Sequence, residues 1–222
     1  MFIGHYGPAF AAKAVAKSVP LWVLFVAAQW VDFLWAGFVI FGIEKIRIIA
    51  NFFGVSPLDL YYMPFSHGLP SAVLLALAIG GLAAAGLGGN RVMVIAVVAA
   101  TSFSHWLLDL VVHRPDLPLI FDEMKVGLGL WFYPYLSVPL EIALLFGGIW
   151  LYDRAAPSPT RAGTIALWGL GLAMAGLQVQ NTFFNEHPAS PEGFAQLSLF
   201  GYTMLAVLAA GVDYLRRGRL RL

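Results

Sequence analysis

Long apolar runs alternate with short polar interruptions along most of the chain. A bilayer core takes about 20 apolar residues in helix. Six stretches meet that length, at about 21–43, 67–87, 91–113, 132–152, 161–181 and 194–215. The bilayer core offers no water to satisfy backbone groups, so each stretch is expected to be helical. The predicted fold class is all-α: an integral membrane bundle of about six transmembrane helices, one domain over residues 1–222. Turn-forming residues mark the connections. The longest, about 44–66, carries Asn51, Gly54, Ser56, Pro57 and Pro64. Pro115 and Pro118 fall between Arg114 and Gly129, Pro157 and Pro159 form a short turn, and Pro188 and Pro191 lie between Asn185 and Gly193. Residues 5–17 read as a short amphipathic or re-entrant helix before the first span. Gly and Ala between Ile79 and Gly89 suit close helix–helix contact.

Composition sharpens this picture. Hydrophobic residues are 60% of the 222 and charged residues 11%, against roughly 45–50% and 25% in soluble domains. Such a chain has too little charge to cover a water-facing surface. It has no cysteine, which excludes disulfides, thiol catalysis and thiolate metal ligands. Its net charge of +1 gives no basic stripe for nucleic acid. Cytoplasmic loops concentrate Lys and Arg. With six spans, both termini share a side that collects Lys13, Lys17, Arg91, Arg154, Arg161, Arg216, Arg217, Arg219 and Arg221. The other side holds Lys45, Arg47, Arg114 and Lys125. The expected placement is a bacterial inner (plasma) membrane, with both termini cytoplasmic and the 44–66, 114–131 and 182–193 links facing outward.

The informative residues are ionisable groups inside apolar spans, which cost several kcal/mol unless paired or ligated. His105, Asp109 and His113 in FSHWLLDLVVHRPD recur every four residues and form one stripe on one helix face. His105 and Asp109 can grip one cation, and a second ion could use His113 with Asp109 as a bridge. The alternative is a polar stripe that glues helices. His67 opens the second span, with Ser66 expected as its N-cap. Asp32 lies mid-span in AAQWVDFLWAG and should face the bundle interior and a cation, with Gln29 and Trp30 nearby. Glu141 follows Pro139, which removes a backbone donor and predicts a kink; Glu141 is a candidate ligand or general base. His5 starts on the wrong side, and reaches the cluster only if residues 5–17 fold into the bundle or the N-terminus lies outside. Asp116 reads as a turn group, and Asp122, Glu123 and His187 as surface residues. Gln178, Gln180 and Asn181 are placed to line the same cavity.

The chain contains no G-x-S-x-G, no Walker A loop and no H-E-x-x-H. In order, GHYGPAFAAK, AAQWVDFLWAGFVIFGIEKIRI, DLYYMPFSHG, FSHWLLDLVVHRPDLPL and KVGLGLW resemble a bacterial family of predicted membrane-bound metal-dependent hydrolases, over roughly the first two-thirds of the chain. The order of polar residues also resembles soluble zinc-dependent phospholipases C, although the later helix pairing His with Glu is missing. The resemblance implies a first metal on Asp32, His67, His105 and Asp109, and a second on Asp109 with His5 or His113.

These readings converge on a membrane-embedded hydrolase of an ester or phosphoester in a lipid or lipid-linked substrate. Its cofactor is expected to be one or two divalent ions, zinc before others, with Glu141 or Asp109 handling protons. The alternative is an ion- or proton-coupled transporter using the same His/Asp cluster, with homo-oligomerisation supplying symmetry. A third reading is a structural bundle without metal.

Overall fold

The computed structural model describes residues 1–49, 56–184 and 190–216. His187, Arg217, Arg219 and Arg221 lie outside the described residues. A 3-10 turn over Ile3–His5 leads into α1 (Tyr6–Val15). Helices α2 (Leu21–Ala28) and α3 (Trp30–Ile40) precede a hairpin of β1 (Lys45–Ile48) and β2 (Leu58–Tyr62). Then come α4 (Leu69–Gly86), α5 (Arg91–Val112), α6 (Pro134–Ala155), α7 (Arg161–Phe183) and α8 (Pro191–Arg216). The fold is all-α apart from this hairpin. Helices α4 to α8 are each long and apolar enough to cross a membrane, and α2 with α3 makes a bent sixth. Their outer faces carry apolar side chains such as Leu74, Val92, Ile165, Leu172 and Val207, all exposed, the covering a lipid-facing bundle needs.

Several expectations change. The first span is not one helix: α2 and α3 meet at Gln29 with a bend of 53°. The break leaves the Ala28 carbonyl to the His105 Nδ1, 2.8 Å away. A side chain has replaced the helical partner, as happens where something inserts into the hydrogen-bond ladder. The 44–66 link is not all loop. Lys45, Ile46, Arg47 and Ile48 alternate polar and apolar, the two-residue period of a strand, and Arg47 pairs with Asp59 and Ile48 with Leu58 in antiparallel register. Helix α6 runs through Pro139 without a break in its helical span.

A further change concerns the N-terminal helix. Helix α1 is packed inside the bundle, where Ile3, Tyr6, Ala9 and Phe10 are fully buried among Phe25, Leu145 and Ile149. Its entry depends on two glycines that bring backbones together. A Cβ on Gly7 would stand 2.5 Å from the Leu144 carbonyl oxygen of α6, and a Cβ on Gly148 would strike the Gly7 backbone. Small residues at such crossings permit the close approach seen between membrane helices. Residues 1–5 therefore lie at the start of α6 and the end of α5, and not at the Lys13 end of the bundle.

Caps define two of the long helices. The Asn90 side chain accepts from Met93 N at 3.1 Å, and the Thr160 hydroxyl accepts from Gly163 N at 3.0 Å, satisfying first-turn donors. Ser66 does not cap α4, whose N-cap is Gly68.

Candidate metal centre

Four elements deliver the cluster. Helix α5 carries His105 and Asp109 one turn apart, and His113 caps its C-terminus. His67 comes from the turn before α4, Asp32 from the first turn of α3, and His5 from the 3-10 turn. All are buried except Asp32, whose side chain keeps 14% exposure toward a cavity.

Four atoms form the corners of a compact set. His105 Nε2 lies 2.9 Å from Asp109 Oδ2 and 3.5 Å from Asp32 Oδ1. His67 Nε2 lies 3.4 Å from Asp32 Oδ1 and 3.7 Å from Asp109 Oδ2. Ligand atoms sharing one tetrahedral zinc ion stand roughly 3.3 Å apart, given bonds near 2.0–2.2 Å. The second oxygen of Asp109 looks the other way. Its Oδ1 is 3.1 Å from His5 Nε2 and 3.7 Å from His113 Nε2, and the Met1 amine nitrogen lies 2.6 Å from it. The His5 ring stacks on that of His105 at 3.7 Å and 6°. Asp109 therefore bridges two groups of imidazoles, one on each carboxylate oxygen.

The histidines are held as ligands are held. A metal-binding imidazole donates its second N–H to an acceptor, which fixes tautomer and direction. His105 Nδ1 faces the Ala28 carbonyl, an acceptor only, so Nδ1 carries the hydrogen and Nε2 the lone pair. His113 Nδ1 lies 2.9 Å from Asp116 Oδ1. His67 Nδ1 lies 2.7 Å from the Ser66 hydroxyl, which donates to Glu44 Oε2 at 2.6 Å. That hydroxyl has one hydrogen, so it accepts from His67, and Nε2 is again left with a lone pair toward the two aspartates. Glu44 is 1% exposed and also accepts the Phe65 and Ser66 backbone N–H groups. Burial pushes its carboxyl above its ordinary value, while the facing His67 and these donors pull the other way. Both His5 Nε2 and His105 Nε2 are buried without a well-directed hydrogen bond. Buried orphan nitrogens are costly unless something binds them.

Among the described residues, two groups could hold a metal ion: Asp32, His67 and His105, and His5, His105 and Asp109. The donor chemistry is imidazole and carboxylate, which suits zinc and excludes a soft thiolate site. Glu141 belongs to neither group. Its Oε2 accepts Phe2 N at 2.8 Å and Gly4 N at 3.1 Å, so it anchors the N-terminal turn. It also lines the cavity beside the cluster, with Gln178 Nε2 3.5 Å from Oε1. That cavity, about 360 Å³, reaches from Asp32, His67, Asp109 and His113 to Gln178, Gln180 and Asn181 of α7 and to α8.

Several supporting residues escape a reading of the spans alone. Asp116 lies in a turn as expected, but it is buried and joins His113 to Arg114, whose guanidinium also pairs closely with Asp59 of β2. Gly127, at φ +154°, lets the following loop fold onto the His113 and Arg114 carbonyls, where any Cβ would collide. Tyr202 supports Asp32 by donating to Oδ2 at 3.0 Å; Gln29 instead points its Nε2 at the Phe2 carbonyl, 3.4 Å away. Asp122 pairs with Lys125 at the surface.

Fold and site together define a multi-pass helical membrane protein with a buried His/Asp centre able to hold metal. No protein-family model matches the chain, and no curated protein or solved structure does.

Proposed function

We propose that the protein is a membrane-embedded, metal-dependent hydrolase of an ester or phosphoester in a lipid or lipid-linked substrate. The observation that carries the reading is the four-cornered set of His67 Nε2, His105 Nε2, Asp32 Oδ1 and Asp109 Oδ2, with edges of 2.9–3.7 Å, opening on a cavity. The resemblance to predicted membrane-bound metal-dependent hydrolases points the same way. Zinc is the ion the donors favour, and a second ion would use Asp109 Oδ1 with His5 and His113. When bound, such an ion supplies Lewis-acid activation of water and of the scissile group.

The chain's own residues do the rest. Asp109 fixes the spacing of the two imidazole groups. Glu141, its Oε2 committed to backbone amides, keeps Oε1 toward the cavity as the atom that can take and return a proton. Tyr202 holds Asp32. The basic residues Lys13, Arg154, Arg161 and Arg216 lie at the opposite end of the bundle, which supports a cytoplasmic assignment of that end in an inner membrane and an outward-facing site.

The test uses detergent-purified protein prepared without added metal. Elemental analysis should find zinc, and a dye-labelled phospholipid in mixed micelles should be cleaved in a chelator-sensitive, zinc-restorable way. Metal-free protein that cleaves nothing after zinc is added sinks the reading. The break between α2 and α3 favours one competitor, since interrupted helices build ion sites in transporters. Gradient-driven, chelator-insensitive uptake into proteoliposomes would select it.

A further inference from the structure

Helices α7 and α8 meet closely at one end. There the Thr160 hydroxyl, just before α7, donates to the Leu215 carbonyl at 3.0 Å, and a Cβ on Gly163 would stand 2.9 Å from the same oxygen. At the other end the cavity separates them. Its walls include Leu177 of α7 and Leu197, Gly201 and Met204 of α8, and its inner end is Asp32 and Asp109. Leu197, Phe200 and Met204 are exposed on a helix long and apolar enough to span a bilayer. The cavity thus borders the lipid-facing surface on one side and the His/Asp centre on the other. At Gly201 a Cβ would meet nothing within 4 Å, so the missing side chain leaves room in the cavity wall.

We propose that this gap is a lipid-chain subsite: one acyl chain of a membrane lipid enters sideways between α7 and α8, past Gly201, and presents its ester or phosphoester end to Asp32 and Asp109. The orientation of the chain rests on the hydrolase reading; its occupancy does not. The argument is one of matched surfaces. A water-soluble substrate entering between α7 and α8 would have to pass lipid-facing leucine and phenylalanine, at a desolvation cost for every polar group. An acyl chain loses nothing there, because it leaves one apolar environment for another. Polar Gln178 and Asn181 beside the inner end suit the headgroup and not the chain. Gly201 is then a specificity-determining residue, since any large side chain in its place takes the volume the chain needs.

The experiment places the intact protein in nanodiscs with phosphatidylglycerol bearing a diazirine in one acyl chain, then maps the photo-adducts. The expected result is labelling concentrated on residues 197–204 of α8. In Gly201→Trp it should fall by about ten-fold, the order expected when a bulky side chain overpacks the space the chain would fill; Gly201→Ala should keep it. Size-exclusion elution and thermal unfolding of each variant report folding, and Gly201→Leu replaces the Trp variant if that one does not fold. Adducts spread evenly over α4 to α8, or undiminished in both bulky variants, overturn the proposal. So does a cross-link from this face to a second copy of the chain, which would make the gap a protein interface. Cleavage of the dye-labelled phospholipid by wild-type protein is scored separately. Focused labelling without cleavage removes the hydrolase and leaves the subsite standing; cleavage with diffuse labelling does the reverse.

Discussion

Tyr202 donates its hydroxyl to Asp32 Oδ2 at 3.0 Å, which leaves Oδ1 as the atom facing both His67 and His105. One bond from α8 therefore aims a carboxylate on α3. Tyr202→Phe keeps the ring contacts with Phe2 and Phe33 but frees the carboxylate to turn. The expected outcome is zinc affinity weakened about ten-fold with the fold intact, read by competition against a fluorescent chelator. Unchanged affinity would remove Tyr202 from the centre's support.

The parts of this centre that a sequence reveals are those that break a rule locally. Asp32, His105 and Asp109 stand out because a charge in an apolar span needs a partner, and His67 because it opens one. Glu44 and Asp116 break no rule: each sits in a polar link, where a carboxylate is ordinary. Glu44 becomes informative only when 22 residues of hairpin bring it to Ser66. His5 lies between. Its residue type is suggestive, but its place depends on whether α1 enters the bundle, and that is decided by a backbone contact between Gly7 and Gly148 that no periodicity shows. The hairpin itself left a weak trace in the alternation of Lys45 to Ile48.

The Glu44–Ser66–His67 relay fixes which ring nitrogen of His67 is free. Glu44→Gln can reverse it, since an amide can donate to the Ser66 oxygen and the hydroxyl then donates to Nδ1. Both Glu44→Gln and Ser66→Ala should weaken metal binding by about 10–100-fold. Glu44→Gln should also shift the His67 ¹⁵N resonances from the Nδ1–H toward the Nε2–H pattern. If wild-type His67 already carries its hydrogen on Nε2, the relay runs the other way and this account fails.

His105 has two jobs that separate in measurement. Its Nε2 faces Asp32 and Asp109, and its Nδ1 satisfies the Ala28 carbonyl at the α2–α3 break. His105→Ala should abolish bound metal and also cost about 1–3 kcal/mol for the bared carbonyl. Asp109→Asn should impair metal binding while leaving that bond in place. Comparing the two by thermal unfolding in detergent, both stripped of metal, should show His105→Ala as the less stable protein.

Metal removal should destabilise the wild type. A ligand that binds only the folded state at about 100 times its Kd contributes roughly 2.7 kcal/mol. A chelator should therefore lower Tm by about 5–10 °C, and zinc should restore it. In Asp32→Asn/Asp109→Asn the chelator should change nothing, because the carboxylates that require a cation are gone. A wild-type Tm indifferent to chelator would show that the cluster is stable unaided, as the helix-gluing alternative requires.

His67 lies in the turn that leads into α4 and His105 lies on α5, so the spacing of these two helices bears on the centre. Gly80 and Gly81 test that spacing side by side. A Cβ on Gly80 would stand 2.9 Å from the Ile95 carbonyl oxygen and 3.3 Å from the Ala99 methyl, whereas one on Gly81 would meet nothing within 4 Å. Gly80→Ala must push the helices apart or strain the contact, at about 1–3 kcal/mol. Gly81→Ala replaces a flexible helical glycine in open space and should gain about 0.5–1 kcal/mol. Only the first should also weaken zinc binding, because only it moves α4 relative to α5. Equal stability of the two variants would mean that α4 and α5 are not locked where their glycines meet.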